Sequence, residues 1–477
     1  MQPNHHASPQ PEAVPEADHS IRDVGWMSGS LATRQGLAFV TTVLAGRLLP
    51  TAEFADYLVA VSAAVILIPL VDAGMLPVVM RTAARNPATP LFGFVRRAFE
   101  KRAPFWLVVG LGLITITSLI QPSDTWLVVL AFAAAVGQAN LDSMCGELFG
   151  RRRFPRGGSL LIASAALGVG GMTVLLFGGR TAAAAMIVFA GARILPPLLA
   201  RLAVRPPAVR APEISWRVSY SFGLIAFLQV LYIRSDILLL SAFGTAKATI
   251  AVYGVLYNVL IATQLIPSGI AWALYPRIAA ASEGSWQRFL RLGLSVSFLI
   301  TILACATLFI SPPLVVSVFG SHYSHGVTPL RTLLLAILPL SISLMAVSAM
   351  QGRDKERILL KVTLVVLVTN IGGNLLMIPL LGARGAIIAT MTAEILAAAG
   401  SLAIAGPDFW RKRSLWPVAL VALAIGLSFG GLPSIAVSIT LVTAAAALVW
   451  ADSFGIRDAL GSVRLLSGAR HRVTRSG

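Results

Sequence analysis

The residues of this chain most able to do chemistry are charged side chains that stand inside long apolar segments. An arginine in such a place offers five hydrogen-bond donors and a permanent positive charge, which suits phosphate and other anions. A carboxylate there can instead bind a proton or a small cation. Because a charge in an apolar layer costs ~2.5 kcal/mol or more, we interpret these residues first as functional. They are Arg34, Asp72, Asp142, Glu147, Arg193, Arg234, Asp236 and Glu394.

Helices that cross a membrane must position these charges. The chain has 477 residues, of which 56% are hydrophobic and 12% are charged, and its mean hydropathy is +0.80. This composition exceeds what the core of a soluble domain needs. A helix requires ~20 apolar residues to cross the hydrocarbon layer. The sequence predicts about fourteen spans by this criterion, near 25–48, 56–80, 104–121, 125–149, 158–178, 182–203, 218–242, 250–275, 292–311, 330–350, 359–379, 385–405, 415–431 and 434–451.

The positive charge of the chain is concentrated in alternate loops. A net charge of +18 would indicate nucleic acid as the partner of a soluble protein, but here most Lys and Arg residues form clusters between pairs of spans. Basic loops resist translocation and stay on the cytoplasmic side. We therefore predict a multi-pass protein of the plasma membrane with both termini in the cytoplasm, and no nucleic-acid partner. At the end of the fourth span we expect Glu147 to pair with the cluster 151–153 at the cytoplasmic surface.

Two halves of the chain resemble each other. At an offset of 196 residues Tyr57 matches Tyr253 and Arg81 matches Arg277, and at an offset of 202 the pair 170–171 matches 372–373, each Gly-Gly. Such self-similarity indicates an internal repeat of six spans. Two parallel lobes of this kind can rock about a central cavity and expose it to either side of the membrane.

The predicted organisation has five parts and is all-α. Two six-helix lobes surround a central cavity, and two C-terminal helices follow them. We expect a disordered cytoplasmic tail at 1–20, an N-lobe of spans one to six at 21–205, a C-lobe of spans seven to twelve at 206–406, spans thirteen and fourteen at 407–452, and a basic cytoplasmic tail at 453–477.

The sequence predicts neither an enzyme nor a metal protein. The outer loops are short, the longest being 320–329, so a folded external active site has no room, and no phosphate-binding loop of the GxxxxGK[ST] type occurs. Cys145 and Cys305 fall inside spans without partner ligands, which indicates buried thiols. His322 and His325 lie in an outer loop, where too few ligands accompany them for a metal site. We expect no cofactor, no metal and no catalytic residue.

Arg34 is the strongest candidate for contact with cargo. It lies near the middle of the first span, on a helical face that includes Ser30 and Thr41. The alternative is a salt bridge from Arg34 to Asp72 of the second span, which would stabilise the N-lobe.

Four further charges have two interpretations each. Arg234 and Asp236 are two residues apart in the seventh span, so they lie on different faces and cannot both point into one cleft. Arg193 and Glu394 occupy comparable places in the sixth and twelfth spans. Each of the four either contacts cargo or pairs within its own lobe. The carboxylates among them, like Asp72, are also candidates for a coupling proton or sodium ion.

Polar side chains inside apolar segments complete the predicted site. Tyr257 and Gln264 share a face of the eighth span, and Asn374 follows Asn370 by one turn in the eleventh. The alternative for such residues is helix-to-helix packing. We expect the central cavity to be lined by Arg34, Asp72, Arg193, Arg234, Asp236, Tyr257, Gln264, Asn374 and Glu394.

Several short segments resemble a known transporter family. They are SDILLL at 235–240, AVYG at 251–254, IPSG at 266–269, LYPR at 274–277, NIGGN at 370–374, IP at 378–379, GARGA at 382–386, RLLP at 47–50, FADY at 54–57 and DAG at 72–74. Together they are similar to the polysaccharide biosynthesis, or oligosaccharide flippase, family of the multidrug/oligosaccharidyl-lipid/polysaccharide (MOP, MATE-like) exporter superfamily. The similarity covers most of residues 20 to 450.

This resemblance implies a transporter of twelve or fourteen helices. Its cargo would be a polyprenyl-pyrophosphate-linked oligosaccharide, such as an exopolysaccharide precursor, moved across the plasma membrane by alternating access. Membrane lipids, a coupling proton or sodium ion and the enzymes of polysaccharide assembly are the partners it implies.

Other functions remain open at this point. A cation-coupled multidrug exporter of the same superfamily would carry cationic cargo, so a cavity rich in carboxylates would favour it. A membrane enzyme acting on lipid-linked sugars would need a sizeable outer loop with acid, base or metal-binding residues. A scaffold for envelope enzymes would have little reason to keep charges in the middle of its spans.

Overall fold

The protein is a bundle of helices. The computed structural model describes residues 16–86, 89–120, 125–203, 216–280, 286–310, 312–353 and 356–405, with a few positions between 437 and 443. Every regular element in these residues is a helix. Nine of the described helices are long and apolar enough to cross a membrane, or ten if one bent pair forms a single span. The predicted fold class, an all-α multi-pass membrane protein, is therefore confirmed.

The N-terminal half provides the first six predicted spans. α1 packs along α6, and α5 lies between α2 and α7. The helices are α1 (Glu16–Leu48), α2 (Thr51–Asp72), α3 (Met75–Arg85), α4 (Gly93–Ile120), α5 (Thr125–Gly150), α6 (Phe154–Val174) and α7 (Ala182–Leu202).

The C-terminal half provides the next six predicted spans and has more breaks. α15 pairs with α16, and α14 packs against α10, α11 and α16. The helices are α8 (Trp216–Ala242), α9 (Lys247–Thr263), α10 (Leu265–Ala280), α11 (Trp286–Ile310), α12 (Pro312–Ser317), a 3-10 helix (Ser321–Gly326), α13 (Val327–Leu334), α14 (Ile337–Gly352), α15 (Glu356–Leu381) and α16 (Ala383–Ala405).

Three segments that the hydropathy predicts as continuous spans are broken. The span predicted at 56–80 ends at Asp72, and α3 starts after Ala73 and Gly74, whose φ angles are 50° and 71°. The span at 250–275 is interrupted at Gln264, and the one at 330–350 belongs to a helix pair bent by 48°. Hydropathy could not reveal these breaks because it averages over a long window, in which a single Gly74 or Gln264 is outweighed by its apolar neighbours.

Some predicted segments lie outside the described residues. These are span thirteen, most of span fourteen, the basic tail 453–477 and the first fifteen residues of the tail predicted as disordered. The rest of that tail differs from the prediction, because α1 already begins at Glu16. The boundary between the two lobes, placed by the sequence at 205/206, also falls between described segments and stays a prediction.

The two halves meet mainly through α2, which packs against α8 and α9. Gly254 of α9 makes this approach possible, since a β-carbon there would overlap the side chain of Leu58 on α2. At one end of the bundle Lys247 forms an ion pair of 2.6 Å with Asp56. At the other end the hydroxyl of Ser219 on α8 donates to the carbonyl oxygen of Ala73. The space enclosed between these contacts contains the candidate site.

Candidate functional site

A cavity of about 270 Å³ lies between the two halves. Residues of α1, α2, α5, α6 and α7 form its N-terminal wall, and residues of α8 and α9 form its C-terminal wall. Arg34, Arg193 and Arg234 all line it, so both halves contribute a guanidinium group. Among the described residues that line the cavity there is no aspartate or glutamate. The lining also includes Gln35, Thr41, Thr42, Tyr57, Gln138, Ser164, Phe189 and Asn258.

Arg193 is held in place by an aromatic side chain one helical turn away. Its guanidinium carbon lies 3.4 Å from the ring centroid of Phe189, and its Nη1 donates to the Phe189 carbonyl oxygen at 2.9 Å. The Phe189 ring meets that of Tyr57 edge to face at 6.3 Å. The Nε atom of Arg193 has no hydrogen-bond partner within the described structure. This nitrogen is buried, so its hydrogen-bonding capacity is unused in this conformation.

Arg34 projects from α1 into the same space. Thr41, two turns further along α1, also lines the cavity, whereas Ser30, the other residue of the predicted face, is buried and is not part of the lining. Asp142 of α5 interacts electrostatically with both Arg34 and Arg193. Asp142 accepts a hydrogen bond of 2.8 Å from Gln138, and it is the amide of Gln138 that borders the cavity.

Arg234 of α8 contributes the positive charge of the C-terminal wall. Its guanidinium carbon lies 5.4 Å from the ring centroid of Tyr257 on α9. The Tyr257 ring stacks on that of Tyr253 with the centroids 6.1 Å apart, and its hydroxyl donates to the carbonyl oxygen of Ile233. Both walls of the cavity thus present an arginine that rests on an aromatic ring.

Asp236 faces away from the cavity, into the C-terminal half. Its Oδ2 accepts hydrogen bonds from the hydroxyls of Tyr253 at 2.6 Å and Thr390 at 2.7 Å. Its Oδ1 accepts from the side-chain amide of Asn374 at 2.7 Å. Only 1% of Asp236 is exposed. Three donors from α9, α15 and α16 therefore surround one buried carboxylate.

Glu394 lies one turn beyond Thr390 on α16 and belongs to the same polar region. Tyr232 donates to its Oε1 at 3.2 Å, and the Ser343 hydroxyl also interacts with the carboxylate, although no hydrogen bond of regular geometry from the described residues reaches the buried Oε2. The amide oxygen of Asn374 is likewise buried without a partner in the described part of the chain. No described Lys, Arg or His forms an ion pair with Asp236 or Glu394. These buried carboxylates lack the counter-charge that such groups usually have.

Asp72 has a partner other than the one considered from the sequence. Its Oδ1 accepts from Nη1 of Arg102 at 2.9 Å, and the guanidinium also donates to Ser143 at 3.0 Å and lies 5.1 Å from the Trp106 ring. The sequence placed Arg102 in a cytoplasmic loop, but its side chain is 0% exposed. Because Arg102 belongs to a cluster of charged residues at 96–102, the sequence did not indicate that its side chain is buried. Asp72 therefore pairs with Arg102 and not with Arg34, so the salt bridge between Arg34 and Asp72 considered from the sequence does not explain either charge.

The remaining predicted positions have structural contacts. Glu147 forms the expected ion pair with Arg151 at 2.8 Å, but it is buried and also accepts from the backbone N–H groups of Phe92 and Val95. Gln264 lies at the break between α9 and α10. The cysteines at 145 and 305 are free and buried.

Comparison with known proteins identifies solved structures of similar fold. No protein-family model and no curated protein sequence matches the chain. Among solved structures, an outward-facing multidrug resistance MATE family transporter of the MOP superfamily is similar, with a TM-score of 0.56 and 16% identity over 80% of this chain and 94% of that one. A MOP superfamily transporter from Pyrococcus furiosus gives a TM-score of 0.56 at 15% identity over 85% and 96%. A eukaryotic MATE transporter gives 0.59 at 14% over 81% and 95%.

The chain therefore has the same fold as these transporters. Several residues at the site were not singled out from the sequence. Phe189 lies one turn before Arg193, and Thr390 lies one turn before Glu394. The i, i+4 spacing from a predicted intramembrane charge is the signal that could have identified both.

Proposed function

We propose that this protein is an exporter that moves a polyprenyl-diphosphate-linked oligosaccharide across the membrane by alternating access. The observation that carries the proposal is the polarity of the cavity. Arg34, Arg193 and Arg234 line it, and no described lining residue is acidic. The MOP fold supplies the two-sided architecture in which such a cavity serves transport.

Three guanidinium groups in a small, partly enclosed space favour an anion. Each group can bind a phosphate through two parallel hydrogen bonds to two of its oxygens, and such charge-assisted bonds are among the strongest in proteins. A diphosphate has acceptors spread over two adjacent groups. Bound between Arg34 and Arg193 on one wall and Arg234 on the other, it would join the two halves through ionic contacts. Cargo binding is thereby tied to the relative position of the halves.

The size of the cavity indicates which part of the lipid-linked oligosaccharide it can hold. Ligand pockets usually have volumes of ~300–1,000 Å³, and this one measures about 270 Å³. A diphosphate head group fits such a volume, whereas an oligosaccharide requires that the halves separate. The polyprenyl chain remains in the lipid, because its transfer into a polar cavity would lose hydrophobic free energy.

Contacts between the halves occur at both ends of the cavity. At one end, Nε of Arg47 donates to the carbonyl oxygen of Val318 at 2.6 Å, close to the ion pair of Lys247 and Asp56. At the other end, α8 touches the break between α2 and α3. Opening one set of contacts while keeping the other exposes the cavity to one side at a time, which is the geometric requirement for alternating access.

The coupling ion is assigned to the buried carboxylates of the C-terminal half. Asp72 already has Arg102 as its counter-charge, whereas Asp236 and Glu394 have none among the described residues. A proton or a sodium ion would neutralise these groups and lower the cost of their burial. Asn374, predicted as a cavity residue, serves in this proposal as a donor to Asp236.

The arginine lining weighs against the alternative functions. One of the similar structures is a multidrug resistance transporter, so a cation-coupled drug exporter is the first alternative. Its cationic cargo would be repelled by three guanidinium groups. The Pyrococcus furiosus transporter is described as having a binding pocket of reversed polarity that suggests a different function. Pocket polarity is therefore a sensible criterion for separating cargo classes within this fold.

Transport in proteoliposomes tests the proposal. A fluorescent polyprenyl-diphosphate sugar is placed in vesicles containing the wild type, Arg34→Ala or Arg384→Ala, with an imposed proton or sodium gradient. Arg384 is exposed and away from the cavity lining, so its variant is the matched control. Loss of a hydrogen bond to a charged group costs ~1.5–3 kcal/mol, so Arg34→Ala should lower the initial rate about tenfold or more. Absence of wild-type transport with folded protein would refute the function.

A further inference from the structure

We infer that Tyr253 and Tyr257 link Asp236 to Arg234, so that the charge state of the buried carboxylate sets the position of an arginine in the cavity. The inference rests on the proposed function and adds to it: it names two positioning residues by which the coupling ion would regulate cargo binding. Each step of the link is a contact between described residues.

The first step joins the carboxylate to the cavity-lining helix. Tyr253 donates its hydroxyl to Oδ2 of Asp236 at 2.6 Å, and both residues are at least 99% buried. The other two donors to Asp236, Thr390 and Asn374, come from α16 and α15, which do not line the cavity in the described structure. Tyr253 is the donor that comes from α9, whose residue Asn258 does line it.

The second step runs along α9. Tyr253 and Tyr257 are one helical turn apart, and their rings stack with an interplanar angle of 21°. Tyr257 lies under the guanidinium of Arg234 and donates its hydroxyl to the carbonyl oxygen of Ile233, the preceding residue. This one tyrosine therefore contacts both the side chain of Arg234 and the backbone beside it.

A direct connection within α8 is excluded by helix geometry. Residues two apart on a helix point in different directions, and the structure shows Arg234 at the cavity and Asp236 in the interior of the C-terminal half. The route through the tyrosines on α9 bridges the two faces of α8. Aromatic rings have few rotatable bonds, so a stacked pair transmits a displacement of one ring to the other.

Asp236 is suited to change its charge during a transport cycle. The titratable or charged groups that face it are Tyr253 and Tyr257 on α9, Tyr232 on α8 and Glu394 on α16. None of these provides a positive counter-charge. When a proton or sodium ion neutralises Asp236, the bond from Tyr253 loses its charge-assisted strength. The ring pair then relaxes, and the support under Arg234 changes.

Thermodynamic reciprocity makes the link measurable. If the charge state of Asp236 is coupled to cargo binding at Arg234, the dissociation constant of the cargo depends on pH or sodium. By reciprocity, bound cargo changes the affinity of Asp236 for the proton or sodium ion by the same factor. The probe is a polyprenyl-diphosphate sugar, a diester without a phosphate that titrates near neutrality. For purified wild type, we expect its Kd to change about tenfold between the protonated and ionised states of Asp236, scanned from about pH 5 to about pH 9 with and without sodium.

Three variants separate the link from a general effect on Asp236. Tyr253→Phe keeps the stacked ring but removes the hydroxyl, and its Kd should vary less than about twofold over the same range. Thr390→Val removes an equivalent hydroxyl donor that is not connected to Arg234. It should shift the midpoint of the dependence and retain its amplitude. Tyr257→Leu, which leaves all three donors to Asp236 in place, serves as a second test and should also flatten the dependence.

The outcomes distinguish this inference from the proposed function. Full wild-type amplitude in folded Tyr253→Phe and Tyr257→Leu would overturn the link, as would equal flattening by Thr390→Val. A wild-type Kd that is independent of both pH and sodium would also overturn it. If the wild type does not bind the diphosphate lipid at all, the proposed function itself fails.

Discussion

The hydroxyl of Ser219 donates a hydrogen bond of 2.5 Å to the carbonyl oxygen of Ala73, and this bond brings α8 of one half against the break between α2 and α3 of the other. Glycines on both sides permit the approach. A β-carbon on Gly223 would lie 2.7 Å from the carbonyl carbon of Ala73, and one on Gly74 would lie 2.5 Å from the backbone nitrogen of Gly223. We interpret this contact as the closure of the cavity at its predicted cytoplasmic end.

Gly223→Ala should hold this end open. Overpacking of a close contact costs ~1–3 kcal/mol, which is enough to shift a balance between two states about fivefold or more. The measurement is labelling of Gln35→Cys, a position that lines the cavity, by a membrane-impermeant thiol reagent from the cytoplasmic side. We expect faster labelling in the Gly223→Ala background, whereas the two natural cysteines are buried.

Gly170→Ala is the control for that experiment. Gly170 has open space where a β-carbon would stand, so the substitution has the same chemistry without the inter-half contact. If Gly223→Ala and Gly170→Ala label at the wild-type rate alike, the contact between Ser219 and Ala73 does not close the cavity.

Asp72→Asn should destabilise the N-terminal half. Its partner Arg102 would be left as a buried charge without a counter-ion, and breaking such a pair costs ~3–5 kcal/mol. The measurement is the apparent melting temperature in detergent, which should fall clearly. The double variant Asp72→Asn/Arg102→Met should recover part of the loss, because it removes the orphaned charge. A melting temperature equal to that of the wild type in Asp72→Asn would contradict the role of the pair.

The ion pair between Asp56 and Lys247 should matter much less for stability. The side chains are 32% and 57% exposed, and pairs of this kind contribute ~0–1 kcal/mol. Its position across the two halves makes it a test of closure at the opposite end. Asp56→Lys should slow transport roughly twofold to fivefold through like-charge repulsion of ~1 kcal/mol, and Asp56→Lys/Lys247→Asp should restore the rate. Failure of the charge swap to restore transport would argue against this contact.

Phe189 should contribute to cargo binding through its support of Arg193. Its ring supports Arg193 at 3.4 Å, and such a cation–π contact is worth ~0.5–2 kcal/mol. Phe189→Leu retains apolar volume but removes the ring face. We expect the Kd for a polyprenyl-diphosphate sugar to rise about threefold to tenfold, measured by titration of purified protein. Phe39→Leu, which alters another aromatic residue of the lining, is the control and should change the Kd less.

The sequence predicted the fold class and the three arginines for the same physical reason. A charge inside an apolar span is rare, so Arg34, Arg193 and Arg234 were visible without coordinates, and all three line the cavity. The two-residue spacing of Arg234 and Asp236 also predicted that they lie on different faces.

The sequence could not predict which helices would meet. The donors to Asp236 come from α9, α15 and α16, which are distant in the chain. Arg102 was hidden in a basic cluster, and only the packing of α4 against α5 shows that it turns inward to Asp72. The break at Ala73 and Gly74 depends on left-handed backbone conformations that hydropathy does not predict.

The charge preference of the cavity tests the central claim most directly. Purified wild type and the variant Arg34→Gln/Arg193→Gln/Arg234→Gln are each titrated with a polyprenyl diphosphate and with a lipophilic cation of similar apolar surface. We predict that the wild type binds the diphosphate at least about a hundredfold more tightly than the cation, and that the variant loses most of this preference. Wild-type protein that binds the cation as well as the diphosphate, with the variant unchanged, would contradict the account.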